Sequence, residues 1–191
     1  MQIIQYTEEM NMKIYKFFQK VFKENARSFS PLGKESDILD ISKNYMIDGN
    51  FWCLINEKKA ICGTIALRKL KDCYEIRRFF VLKRYQGCGY GTNLLNIAVN
   101  YSIDNNYSLL KAATMSNGLA AQHIFLANGF SKTECYNNST ADIFFQFEIT
   151  TNSAYKYKLE YLRKKFESSL ILNPTENVPF IYDIENTNFF A

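Results

Sequence analysis

Between Val81 and Thr92 the sequence reads Val-Leu-Lys-Arg-Tyr-Gln-Gly-Cys-Gly-Tyr-Gly-Thr, with glycines at 87, 89 and 91. An apolar strand pattern leads into this turn and a helical pattern leads out of it. Glycine removes the side chain where a ligand must approach the backbone, and it permits the angles that aim successive N–H groups at one point. The helix that follows adds about half a positive charge at its N-terminus. The combination suits a pyrophosphate, and Lys83 and Arg84 place cations at its rim. Two familiar phosphate loops are excluded. No Gly-Lys-Ser/Thr triplet occurs in the chain, and the third glycine of a G-x-G-x-x-G pattern is missing, since Thr92 and Leu94 stand where it would fall. What remains is Gln86-x-x-Gly89-x-Gly91 after a valine-ended strand.

The rest of the chain narrows the chemistry further. A single histidine, His123, rules out a histidine-rich metal site, and five cysteines at 53, 62, 73, 88 and 135 form no C-x-x-C pair. No metal is expected, and a reducing cytoplasmic setting is. With 47% hydrophobic and 22% charged residues, the 191-residue chain can bury one ordinary core. Its net charge of +4 is too small and too scattered for non-specific nucleic-acid binding. The opening MQIIQYTEEMNMK lacks the charged start and apolar run of a signal peptide, and no stretch approaches the roughly 20 apolar residues of a membrane span.

Periodicity supplies the elements that must hold the turn in place. A strand is expected over Ile3–Tyr6. An amphipathic helix follows over residues 8–24, with Thr7 as its N-cap and Ile14, Phe17, Phe18, Val21 and Phe22 inward. A second helix is expected around Ile38–Tyr45. Strands over Phe51–Ile55, Ala60–Leu67 and Tyr74–Leu82 come next, then a helix from Gly89 to Asp104. A strand over Leu109–Ala113, a helix over Leu119–Ala127 and a hairpin of Phe130–Cys135 with Ile143–Ile149 complete the pattern. The strand–helix–strand unit from Tyr74 to Ala113 makes two parallel neighbours. Antiparallel strands on either side give an α/β fold: a mixed, splayed central sheet with helices on both faces.

Three ordered blocks, Glu75-Ile-Arg-Arg-Phe-Phe-Val81, the Gln86–Gly91 turn and Ala121-Gln-His-Ile-Phe125-Leu-Ala-Asn128-Gly129-Phe130, together resemble the GNAT family of N-acetyltransferases. The resemblance covers roughly residues 1–149 and is strongest over 74–130. It implies an acyl-CoA N-acyltransferase-like fold and acetyl-CoA as co-substrate. It also implies direct transfer of an acetyl group to a primary amine of a small molecule or protein. Cofactor contacts then fall on Phe79, Phe80 and Val81, on Gln86, Gly87, Cys88, Gly89, Tyr90, Gly91 and Thr92, and on Asn117 and Phe125. Phe79 would supply a backbone N–H to the oxyanion. Residues 26–36 would form a loop over the acceptor.

At two positions the sequence departs from that family. The place usually held by a tyrosine acid is Phe125, which cannot donate a proton, and the customary asparagine position is Gly118, with Asn117 one residue early. Tyr90 and Tyr136 are the alternative hydroxyls. Glu75 is the candidate base, and its alternative is a structural carboxylate paired with Arg77 or a lysine. A non-catalytic acyl-CoA-binding module remains the other functional reading.

Residues 150–191 form an extension. A basic helix is expected over about 153–170, with Tyr157, Leu162, Phe166 and Leu170 apolar. It could pack on the domain, make a homodimer or lie on a membrane surface. The stretch Leu170-Ile-Leu-Asn-Pro-Thr-Glu-Asn-Val-Pro179 resembles the opening of serine-hydroxymethyltransferase-like, pyridoxal-phosphate-dependent proteins. That likeness implies either a linker or the start of a fused domain.

Overall fold

The computed structural model describes residues 1–137, 140–152 and Tyr157. A seven-stranded sheet organises the chain. Its strands are β1 (Gln2–Gln5), β2 (Asn50–Ile55), β3 (Ile61–Lys69), β4 (Tyr74–Val81), β5 (Leu109–Thr114), β6 (Ser131–Thr133) and β7 (Ile143–Glu148). They lie in the order β1-β2-β3-β4-β5-β7-β6. Among the described residues only β4 and β5 run parallel, and the other neighbouring pairs are antiparallel. Helix α1 (Asn11–Glu24) covers one face, and α2 (Tyr90–Asp104) and α3 (Leu119–Ala127) cover the other.

Because both faces are covered, the middle strands read as continuous apolar runs, and all six residues of β2 are buried. Phe51 and Cys53 meet Ile14, Phe18, Val21 and Phe22 of α1, whereas Trp52 and Leu54 join Leu94, Leu95, Ala98 and Val99 of α2. Each large apolar side chain so buried contributes roughly 1.5–3 kcal/mol. The β2–β3 hairpin closes through Asn56, whose Oδ1 accepts the N–H groups of Lys58 and Ala60 at 3.0 Å each.

Two local expectations are corrected. The segment after Thr7 opens with a 3₁₀ turn over Glu8–Met10, and Thr7 makes no side-chain cap bond; its carbonyl accepts the Met10 N–H at 2.9 Å instead. The second helix is two separate turns, a 3₁₀ turn over Ser36–Leu39 and a π turn over Ser42–Met46. Asp40 is the cause. Its carboxylate accepts the Lys43 N–H at 3.0 Å, a local bond that competes with helix continuation and restarts the turn.

Strand β4 carries the irregularity that matters most. Arg77 stands opposite Ala66 and Phe80 opposite Thr64, so three steps on β4 face two on β3: a β-bulge. Arg78 takes the strain with φ +49°, and the Thr64 hydroxyl donates to its carbonyl at 2.7 Å. The extra residue changes the parity of the strand. Phe79 and Val81 thereby join Ile76 on the α2–α3 face, and Phe80 packs against Phe18 and Phe22 of α1.

The expected basic helix, the homodimer and the fused-domain reading all concern residues outside those described, apart from Tyr157. Its ring packs on Phe147 with centroids 5.6 Å apart, and its hydroxyl donates to the Asn128 carbonyl at 2.8 Å. Among the described residues no helix is long and apolar enough to cross a membrane.

Candidate active site

Strands β4 and β5 pair only at Tyr74↔Leu110, Glu75↔Lys111 and Ile76↔Ala112. Past Ile76 they diverge, because β5 follows β7 through Thr114 while the bulge turns β4 away. The wedge between them opens into a cleft of about 930 Å³. Phe79, Phe80 and Val81 line one wall, and Thr114, Met115, Asn117, Ala121, Ile124 and Phe125 line the other.

At the wide end the chain turns from β4 into α2. Gly87 and Gly89 have φ of +76° and +77°, and a Cβ built on either meets nothing within 4 Å. Both therefore face open space in a conformation that L side chains rarely adopt. Gly91 has a different role. A Cβ there would lie 2.6 Å from Ile124 Cδ1, so its absence lets α3 close on the first turn of α2. No side chain caps α2, which begins behind Gly89, so the helix's partial positive charge faces the turn uncovered.

Gln86 braces this turn, its amide donating to the Val81 carbonyl at 2.8 Å. Gln86, Gly87, Gly89, Gly91 and Thr92 line the cleft, as does Lys83. Arg84 instead stacks over the Tyr85 ring at 4.7 Å. Cys88 and Tyr90 belong to the turn but are not among the lining residues; the exposed Cys88 thiol points to the Gln86 carbonyl at 3.7 Å. His123 is exposed and lines the α3 wall.

Phe125 is 2% exposed, with its ring 5.7 Å from Phe79, 5.1 Å from Phe130 and 5.3 Å from Phe145. It is a core aromatic whose edge reaches the cleft. Tyr136 donates its hydroxyl to Glu75 at 3.2 Å, and burial, then the Glu75 charge, raise its pKa, so the phenol stays protonated. Asn137 donates to the same Glu75 oxygen at 2.7 Å, and Arg77 lies 3.6 Å from the other. Glu75 is thus 4% exposed, hydrogen-bonded and on the cleft wall. Glu75 has Arg77 as the ion-pair partner expected of a structural carboxylate, and it faces the cleft.

The other end of the cleft lies under the loop after α1. Asn25, Arg27, Lys34 and Glu35 line it together with Arg77 and Arg78. Behind them sits a buried charge cluster that the sequence did not reveal. Arg78 holds Asp37 with two hydrogen bonds, one of them 2.9 Å from Nε, and Tyr45 donates its hydroxyl to the same carboxylate. Burial alone would raise the Asp37 pKa; the Arg78 hydrogen bond and charge outweigh it and hold the carboxyl below its ordinary range. Tyr45 is pushed up to about 12, by burial first and Asp37 second. Arg68 completes the cluster, 3.6 Å from Asp37 and stacked over the Tyr45 ring. Arg78 also donates to the Lys34 carbonyl at 3.2 Å, so the loop of residues 26–36 is tied to the bulge.

A mixed sheet splayed beside a glycine turn, with helices on both faces, defines an acyl-CoA N-acyltransferase-like fold. The chain belongs to the acetyltransferase (GNAT) family, whose model matches residues 13–130. Solved structures agree on the fold. A GNAT-family acetyltransferase of Staphylococcus aureus Mu50 superposes with a TM-score of 0.73 at 22% identity, covering 78% of this chain and 99% of its own. The PaiA N-acetyltransferase of Thermoplasma acidophilum, solved in complex with coenzyme A, gives 0.63 at 16% identity over 77% and 98%. The ribosomal-protein-S18-alanine N-acetyltransferase of Escherichia coli gives 0.61 at 15% over 78% and 94%. No curated protein matches the sequence.

Proposed function

We propose that the protein transfers the acetyl group of acetyl-CoA directly to a primary amine held in the same cleft. The observation that carries this reading is the wedge between β4 and β5 ending at the Gly87–Gly89 turn. There the open backbone leaves room for a pyrophosphate, and the free edge of β4 beyond Ile76 can bond an extended pantetheine arm. Acetyl-CoA supplies an activated acyl carbon.

The residues of the chain would do the rest. The Phe79 backbone N–H, turned by the bulge, would receive the charge that develops on the carbonyl oxygen. Glu75 would accept the proton lost by the amine as nitrogen bonds to the acyl carbon. The C–S bond breaks, and its electron pair leaves on sulfur. Phe125 gives no proton, and none is required, since a thiol titrates near 8.5 and its thiolate leaves tolerably at neutral pH. A panel of amines assayed for released coenzyme A thiol tests the reading. Silence across the panel, with coenzyme A bound, would favour the binding-module alternative.

Two substitutions examine the assigned roles. Glu75→Gln keeps an oxygen for Tyr136 and Asn137, so the fold should hold. Turnover near neutral pH should fall about 100-fold, with the deficit narrowing as rising pH deprotonates the amine unaided. The pH–rate profile checks this, and unchanged turnover would assign Glu75 to structure. Phe125→Tyr should raise the neutral-pH rate, by up to about 100-fold if the new hydroxyl reaches the sulfur. Reduced turnover with coenzyme A affinity intact would sink unaided thiolate departure.

A further inference from the structure

The acceptor end of the cleft has an uneven supply of charge. The two carboxylates on its wall and the one behind it all have partners. Asp37 is held by Arg78 and Tyr45, Glu35 is 6% exposed and accepts the Ser30 N–H at 2.9 Å, and Glu75 accepts Tyr136 and Asn137. The cations differ. Arg78 is consumed by Asp37, and Arg27 lies over the Phe22 and Phe80 rings within reach of the Glu35 charge, but among the described residues neither its guanidinium nor the Lys34 ammonium donates a hydrogen bond. Among the described residues Arg77 makes one ion pair, a loose one 3.6 Å to Glu75, and its side chain is 26% exposed on the cleft wall. The end that must receive the second substrate therefore offers positive charge with donors to spare.

From this imbalance we infer that the acceptor is a small amine that also carries a carboxylate, of the amino-acid kind. The inference rests on the acetyl-transfer reading above. Arg77 and Glu75 stand side by side as a guanidinium and a carboxylate, which is the complement of an ammonium beside a carboxylate. A guanidinium presents paired donors that match both carboxylate oxygens, and such charge-assisted pairs are about twice as strong as neutral ones. Glu75 would then take the proton of the amine while Arg77 fixes the carboxylate, and Arg27 and Lys34 add a field that draws anions in. A polyamine or aminoglycoside brings further positive charge to the same place and is repelled.

The test uses the full chain with acetyl-CoA and compares L-amino acids, their carboxamides and spermidine by release of coenzyme A thiol. The free acids should be used best, with kcat/KM about 10- to 100-fold above the matching carboxamides. That order would hold although the amine of a carboxamide is less basic and so more readily deprotonated. Arg77→Gln should raise KM for the acids by about tenfold or more, with KM for the matching carboxamides and calorimetric coenzyme A affinity little changed, and Arg77→Lys should recover part of the loss. Equal or better use of carboxamides or spermidine overturns the inference and leaves acetyl transfer standing. So does bound coenzyme A with no amino acid reacting. Absence of coenzyme A binding removes the underlying reading, and the inference falls with it.

Discussion

Asp37→Asn is expected to destabilise the protein by about 3–5 kcal/mol, the range for removing one partner of a buried ion pair. The Asp37 side chain is 9% exposed and that of Arg78 8%, so the arginine left behind is an uncompensated buried charge. Asparagine keeps one oxygen, so the Tyr45 hydroxyl and the two Arg78 donors, which two carboxylate oxygens served, compete for it. The pH dependence has a definite sign. The folded carboxyl titrates below its ordinary value near 4, so its contribution is complete above that value and fades as pH falls through the folded pKa. The gap between parent and variant should be widest at neutral pH and close in acid, as read by denaturant unfolding. Coenzyme A affinity should drop as well, because Arg78 is the residue that forms the bulge and aims Phe79. A variant as stable as the parent at pH 7 would mean that the cluster adds nothing to the fold.

Gly89→Val should abolish the thermal stabilisation that acetyl-CoA confers by mass action. The added Cβ meets nothing within 4 Å, so the fold has no reason to fail. The penalty lies in φ +77°, where a β-branched residue costs about 1–3 kcal/mol. Relief comes by rotating the peptide, which turns away the N–H groups that the turn presents, and the new side chain fills space meant for phosphate. Affinity should fall at least tenfold by calorimetry, in a protein that still unfolds cooperatively, its unliganded midpoint lower by about 2–4 °C for each kcal/mol of that strain. Unchanged affinity would falsify the cradle assignment.

Much of this arrangement was legible in the residues. The α2 and α3 boundaries, the β4 span and the glycine turn follow from apolar periodicity and glycine spacing, which are local signals. The cluster of Asp37, Tyr45, Arg68 and Arg78 was not legible, since it joins a turn, β3 and β4 across 41 positions of sequence. One clue was present. Ile76-Arg77-Arg78-Phe79-Phe80 breaks strict alternation with two polar and then two apolar residues, as a strand does when one extra residue shifts its parity. The division of Ser36–Met46 into two turns was hidden for another reason. Asp40 can sit in a helix or stop one, and only its bond to the Lys43 N–H decides.

The brevity of the β4–β5 pairing has a mechanical meaning. Three residue pairs form the seam between a four-stranded panel, β1–β4 with α1 and α2, and a smaller panel of β5–β7. The seam has no more rungs than the β6–β7 pairing, and one apolar core runs beneath it, so the two panels are joined at one end of β4 and open at the other. A molecule lying along the free edge of β4 would act as mortar between the two, replacing the rungs the strands do not make. Occupancy of the slot and stability of the sheet are then linked.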